Sequence, residues 1–318
     1  MITINDIKEA QQRVNGYAIK TPLLRVASLD EMLGCKVWLK PENLQLTGSF
    51  KMRGALNKLL SLTGDQKKQG VVCASSGNHG QAVAYAAKLL GINAKVVMPT
   101  NSNPVKLEGV HTYGADVILH GTKSSEREAR MSEIVKQEGR VSVHPFEDDH
   151  VKAGQGTISL EIVEDNPAMN YIVVPVGGGG LISGIATAAK AVKPDIKVIG
   201  VEPAGAPRYR LSRMAKKPVS LDKVDTIADG TRTDKANPNN FPIIETYVDD
   251  LVSVDDEQIK QAMKLLLSKT KLFVEPSGAL GIAAAMCKQL SCTANDEVCF
   301  VLSGGNGDLN LLADIIKE

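Results

Sequence analysis

Neither sign of charge prevails in this chain. It carries 37 Lys and Arg against 36 Asp and Glu, a net charge of +1 at pH 7. That balance argues against a strongly basic nucleic-acid surface, and no nucleic-acid partner is expected. Cysteine is scarce: Cys35, Cys73, Cys287, Cys292 and Cys299 are odd in number, scattered and without a C-x-x-C pair. They read as reduced core thiols of a cytosolic protein. The opening residues, Met1 to Asp6, hold neither a basic nor an apolar leader segment, so a cytoplasmic location is expected. An uninterrupted membrane-length run is also lacking. Residues 171–189 bear no charge, and Gly180-x-x-x-Gly184 mimics a membrane-helix contact, but Pro175 and four successive glycines fall inside the stretch. They would break a spanning helix, so strand, glycine turn and helix is the better reading, with no membrane partner.

What is present is an ordinary globular composition, 43% hydrophobic and 23% charged over 318 residues, enough for one large or two ordinary domains. Short β-branched runs alternate with amphipathic runs of helical length. Strands are expected at 36–40, 71–74, 94–98, 116–120, 141–144, 171–176, 197–201 and 298–302. Helices are expected near 4–14, 52–62, 81–90, 104–113, 124–137, 156–163, 181–192, 255–269, 276–290 and 309–316. This is the pattern of parallel sheets with covering helices, an α/β fold in two lobes. Between Pro203 and Asp249 the pattern weakens into loops and short elements.

Four stretches carry chemistry. Thr47 to Gly54 places Lys51 at a helix start, where free N–H groups favour negative charge and a cation is mildly misplaced. A desolvated lysine makes a good amine nucleophile. Ser75-Ser76-Gly77-Asn78-His79-Gly80 follows an apolar strand and opens a helix, where small residues let an anion approach. Gly177 to Gly180 has the same setting. It is not a P-loop, since no Gly-Lys-Ser/Thr follows, nor the dinucleotide fingerprint, since Ile182 stands where a glycine is required. Ser303-Gly304-Gly305-Asn306 follows the last strand. Three small-residue loops and one amine suit a phosphate-bearing ligand at the C-terminal edges of a sheet.

These motifs, taken in order over nearly the whole chain, resemble fold type II pyridoxal-phosphate enzymes (tryptophan synthase β-like), and within them the serine/threonine dehydratase and serine racemase branch. The resemblance implies pyridoxal 5'-phosphate as cofactor, carried by Lys51, which also takes the Cα proton. It implies Phe50 beside the cofactor ring, Gly177, Gly178, Gly179, Gly180 and the Leu181 N–H on the phosphate, Asn78 on the ring hydroxyl and Ser303 at the pyridine nitrogen. Gly230 and Glu275 match positions near the cofactor. Ser75, Ser76, Asn78 and His79 match the dock of the substrate carboxylate. A serine at the ring nitrogen weakens the electron sink and favours loss of a β-hydroxyl, giving a 2-oxo acid and ammonia from L-serine or L-threonine. Racemisation is the alternative, with Ser76 as acid on the face opposite Lys51. A non-catalytic binding module is disfavoured by the presence of Lys51. A homodimer or homotetramer is expected, with a large domain of residues 1–50 and 150–318 and a small domain of 51–149.

The branch also implies a divalent cation held by a Glu, a backbone carbonyl four residues on and a carboxylate two further. Glu202 and Ala206 match the first two positions, but the third is Arg208. A guanidinium repels a cation and is expected to pair with Glu202, so no metal is expected. His111, His120, His144 and His150 lack metal-ligand spacing and are expected at strand ends or on the surface.

Overall fold

The computed structural model describes residues 1–75, 77–102 and 104–317, apart from the side chains of 104–106. Ten strands are described in chain order: β1 Leu24–Arg25, β2 Lys36–Pro41, β3 Val71–Ala74, β4 Ala94–Met98, β5 Asp116–Leu119, β6 Val141–Ser142, β7 Tyr171–Pro175, β8 Lys197–Pro203, β9 Asp250–Val254 and β10 Glu297–Leu302. They form a six-stranded sheet ordered β1-β2-β10-β7-β8-β9 and a four-stranded sheet ordered β5-β4-β3-β6. Every pairing is parallel except β1 with β2. The central strands β7, β8 and β10 are buried over almost their whole length, because helices cover both faces of the sheet. Separate apolar clusters fill the two sheets' surroundings, one around Leu39, Val173, Ala283 and Phe300, another around Met52, Val71, Val83 and Val96.

Local sequence sets the helix boundaries. Thr3 and Asp6 close a capping box on Ile4–Val14, as do Thr63 with Gln66 on Gly64–Gln69 and Asp255 with Gln258 on Asp256–Thr270. Pro276 opens Pro276–Met286, and Gly91, at φ +65°, ends Asn78–Leu90.

Several elements depart from the sequence pattern. The helix expected near 156–163 runs from Asp149 to Asp165, with Asp148 as its cap. It is buried along most of its length, so it shows no polar stripe by which to read it. Its glycines admit neighbours: a Cβ at Gly154 would stand 2.6 Å from the Arg53 carbonyl, and one at Gly156 would stand 2.8 Å from that of Gly184. β9 and the helices Gly64–Gln69, Arg208–Ala215 and Phe241–Tyr247 are additional. The helix expected to reach 290 stops at Met286, and the strand expected to reach 144 stops at Ser142. His111, His120 and His150 are exposed, while His144 is half-buried two residues past β6. Among the described residues no helix is long and apolar enough to cross a membrane.

Candidate active site

A cavity of about 350 Å³ opens between the two sheets, at the C-terminal ends of β3, β7 and β10. Ligands of open α/β sheets bind at such ends.

Lys51 begins the helix Lys51–Leu60 and reaches into this cavity. Its Nζ donates to the Pro145 carbonyl at 3.0 Å and lies 5.0 Å from the centre of the Phe50 ring. Burial pulls its pKa down to about 8, with the Glu275 carboxylate opposing the fall. The loop before it is stitched to the loop after β10. Ser49 and Gly304 form an antiparallel bridge, Phe50 N–H donates to the Ser303 carbonyl at 3.0 Å, and Gly305 N–H donates to that of Gly48 at 2.9 Å. Gly48 sits at φ +70°, where a Cβ would meet the Asn306 side chain at 2.5 Å.

The Lys51 helix is rooted by a buried network that sequence reasoning passed over. Arg53 donates to both oxygens of Glu42 at 2.8 Å and to those of Glu161 at 2.5 and 2.8 Å. Lys40 adds a 2.6 Å bond to Glu161. Two cations meet two anions here, all nearly solvent-free, which meets the requirement that buried charge be paired. Arg53 stands two residues from Lys51 in the same stretch, so its position was the available signal.

From the four-stranded sheet, Asn78 and His79 open the helix Asn78–Leu90, whose first N–H groups have no intrahelical acceptor. The Ser75 hydroxyl accepts from Gly77 N–H at 3.2 Å. The Asn78 amide donates to Glu275 at 2.7 Å and accepts from Asn306 at 2.9 Å. His79 is buried, with Nε2 against the Val143 carbonyl at 2.8 Å, and Nδ1 has no partner among the described residues. Burial first, and the Lys51 charge second, push its pKa down to about 3, so the ring is neutral. Its backbone N–H lies in the first turn of Asn78–Leu90, where no intrahelical acceptor exists.

The glycine tetrad links β7 to the helix Gly180–Val192. Gly179 holds φ +87°, and a Cβ on Gly178 would lie 2.3 Å from the Phe146 ring. The Gly178 carbonyl accepts from Tyr209 Oη at 2.9 Å and Asn240 Nδ2 at 2.8 Å. Both donors fall where the sequence pattern weakens, and no local motif announces them. Leu181, Gly230, Glu275 and Ser303 line the same cavity. A Cβ on Gly230 would stand 2.9 Å from Ser277 Oγ, itself buried without a partner among the described residues. The cavity thus brings together every residue matched to the cofactor or the substrate except Ser76, which lies outside the described residues.

A profile of the family described as "Pyridoxal-phosphate dependent enzyme" matches residues 14–304. The chain belongs to this family of pyridoxal-phosphate dependent enzymes. Over 318 residues the enzyme is 43% identical to the L-threonine ammonia-lyase of Thermotoga maritima, covering 100% of this chain and 79% of that protein. It is 41% identical over 313 residues to the serine racemase of Oryza sativa subsp. indica, covering 97% and 92%. The structure of maize serine racemase matches with a TM-score of 0.94 at 41% identity, covering 99% of this chain and 97% of that one.

The residues of this pyridoxal-phosphate enzyme fit its cofactor. Gly178, Gly179 and Gly180 have no room for a Cβ and Gly177 little, an arrangement of consecutive N–H groups suited to a phosphate, and a half-buried lysine with a lowered pKa stands in the same cavity. The residues at the cation position do not fit a metal. Arg208 forms the expected ion pair with Glu202, buried and at 3.8 Å, a separation longer than a hydrogen bond, while the two carboxylate oxygens accept the Tyr209 and Arg210 N–H groups at the start of Arg208–Ala215. Among the described residues no cluster of three or more His, Cys, Asp or Glu could hold a metal ion.

Proposed function

We propose that this enzyme is a serine/threonine ammonia-lyase, converting L-serine, L-threonine or both to a 2-oxo acid and ammonia by β-elimination. The observation that carries the lyase reading is Ser303. It lines the cavity, its carbonyl bonded by Phe50 N–H beside Lys51, and a neutral serine rather than an aspartate at the position matched to the ring nitrogen would weaken the electron sink and favour loss of the β-hydroxyl. The identity to an L-threonine ammonia-lyase over the whole chain supports the same reading. When bound, pyridoxal phosphate supplies a covalent electron sink for the substrate α-carbon.

The chain's own residues divide the work. Gly177 to Gly180 and the Leu181 N–H hold the phosphate at a helix start. Phe50 would pack beside the ring, Asn78 would bond its hydroxyl, and Gly230 and Glu275 would close the cavity around it. The substrate carboxylate docks on the helix start at Ser75, Ser76, Asn78 and His79. Lys51 Nζ, whose pKa burial draws below that of a free lysine, would take the Cα proton. In balance the Cα proton and the β-hydroxyl would leave as water, and the resulting enamine would tautomerise to an imine that a second water hydrolyses to the 2-oxo acid and ammonia.

Amino-acid racemisation is the second reading, favoured by the identity to serine racemases. The test is an assay of 2-oxo acid and D-amino acid formed from a panel of β-hydroxy L-amino acids. Faster release of 2-oxo acid supports the lyase, and faster formation of the D-enantiomer supports the racemase. The small domain is proposed as 51–149, set into a large domain of 1–50 and 150–318. The functional unit is proposed as a cytoplasmic homodimer or homotetramer.

A further inference from the structure

One buried cation stands behind the glycine tetrad. Arg208 has no exposed surface. Its Nε donates to the Gly177 carbonyl at 3.1 Å, its Nη2 to that of Val176 at 2.8 Å, and its Nη1 to those of Ala206 and Thr233 at 2.8 and 2.9 Å. The Glu202 carboxylate balances the charge from 3.8 Å. Several carbonyl oxygens with a carboxylate nearby form the kind of shell that a hard divalent cation takes from a protein. Here the shell surrounds a side chain that stays charged at any working pH.

Two of the carbonyls that Arg208 holds, those of Val176 and Gly177, belong to the loop that would bind the cofactor phosphate. In a trans peptide the N–H points opposite to the preceding carbonyl. Holding the Val176 and Gly177 carbonyls therefore turns the N–H groups of Gly177 and Gly178 away from the guanidinium. Tyr209 and Asn240 do the same for Gly179 by holding the Gly178 carbonyl. Gly177, Gly178 and Gly179 line the cavity.

We propose that Arg208 is a tethered cation that takes the place of the divalent ion implied by the family resemblance, and that it is a positioning residue presetting the phosphate cradle. A soluble ion stabilises a site only as far as its concentration exceeds its dissociation constant, and then logarithmically. A tethered one is always present. Cofactor binding by this enzyme is then independent of divalent cations.

The test measures three quantities with EDTA, with Mg²⁺ and with Ca²⁺. These are the pyridoxal-phosphate dissociation constant of the apoenzyme, the Tm of the apoenzyme, and the ³¹P resonance of the bound phosphate in the holoenzyme. For the wild type all three are expected to be the same in each condition. Arg208→Met is expected to weaken cofactor binding about tenfold and to move the ³¹P resonance, since four carbonyls lose their donor. Arg208→Lys is expected to restore part of both. Arg208→Asp adds a carboxylate beside Glu202 and the Ala206 carbonyl, so its cofactor affinity is expected to match Arg208→Met in EDTA and to recover with Mg²⁺ or Ca²⁺. A wild-type affinity or ³¹P shift that responds to EDTA overturns the proposal. So does an Arg208→Met protein that binds cofactor as the wild type does with an unmoved resonance, or a folded Arg208→Asp protein indifferent to both ions. Should Arg208→Asp fail to fold, the wild-type measurements and Arg208→Lys decide.

Discussion

Asn78 and Glu275 are 197 positions apart, yet the Asn78 amide donates to the Glu275 carboxylate at 2.7 Å. One residue starts a helix that follows β3, and the other caps the helix Pro276–Met286 beside the large sheet. The bond fixes which way the amide faces, because the Asn78 oxygen accepts from Asn306 on its other side. Glu275 is also the anion whose charge supports the protonated form of Lys51.

That pair sets a pH dependence. The Lys51 amine must be neutral to capture the cofactor carbonyl, and its pKa lies at about 8 rather than 10.5. Capture by the apoenzyme is therefore expected to rise with pH through a midpoint near 8. Glu275→Gln removes the charge that holds this pKa up, so the midpoint is expected to move lower. Stopped-flow absorbance across pH 6–10 reads it, and an upward shift would contradict the arrangement.

Lys51 should carry the cofactor. The purified enzyme is expected to be yellow, and borohydride reduction followed by peptide mapping should find the adduct on Lys51. Lys51→Ala is expected to lose turnover on the order of 10³-fold. An adduct on any other lysine would sink the assignment.

His79 predicts a loss of stability in acid. Its ring is neutral in the fold, with a pKa of about 3 against 6.5 for the free group. As pH falls below 6.5 the unfolded chain binds this proton and the folded chain does not, so stability declines until pH approaches 3. Between pH 7 and 5 this site accounts for about 2 kcal/mol of the decline. His79→Gln is expected to remove that share of the pH dependence in urea titrations of the apoenzyme, whatever its effect at pH 7. An unchanged difference between the two pH values would show that His79 is charged in the fold.

Ser76 is proposed to serve the substrate face opposite Lys51. Ser76→Ala is expected to keep much of the 2-oxo acid release from L-serine and to lose both racemisation and release from D-serine. Lys51→Ala is expected to lose all of them. Equal loss on both enantiomers in Ser76→Ala, with cofactor still bound, would reject the two-face scheme.

The lysine and the three small-residue loops were legible because each follows an apolar run and breaks it with residues that suit only a turn or a close approach. Strands β3, β4, β7 and β10 were legible for the same reason. What escaped was polar and distant. Lys40, Glu42, Arg53 and Glu161 look like surface charges in sequence, and only the fold shows that they neutralise one another out of water. Arg208 was read only as a partner for Glu202, and Tyr209 and Asn240 lie in a stretch without periodicity. Their partners are backbone carbonyls, which no side-chain pattern records. The helix Asp149–Asp165 lost its signature by being buried, since periodicity reports only a helix with a wet face.

The neighbour of β2 in the large sheet is β10, paired from Lys36 with Glu297 to Pro41 with Leu302. During synthesis the four-stranded sheet can close once residue 142 has emerged, since all its strands lie within 71–142. The larger sheet must wait, with β2 lacking its inner neighbour, until residues 297–302 leave the ribosome. The Ser49–Gly304 bridge that seats the lysine loop forms later still. A nascent or prematurely terminated chain therefore presents the reactive amine without its mount. Its competence arrives in one late step rather than growing with length.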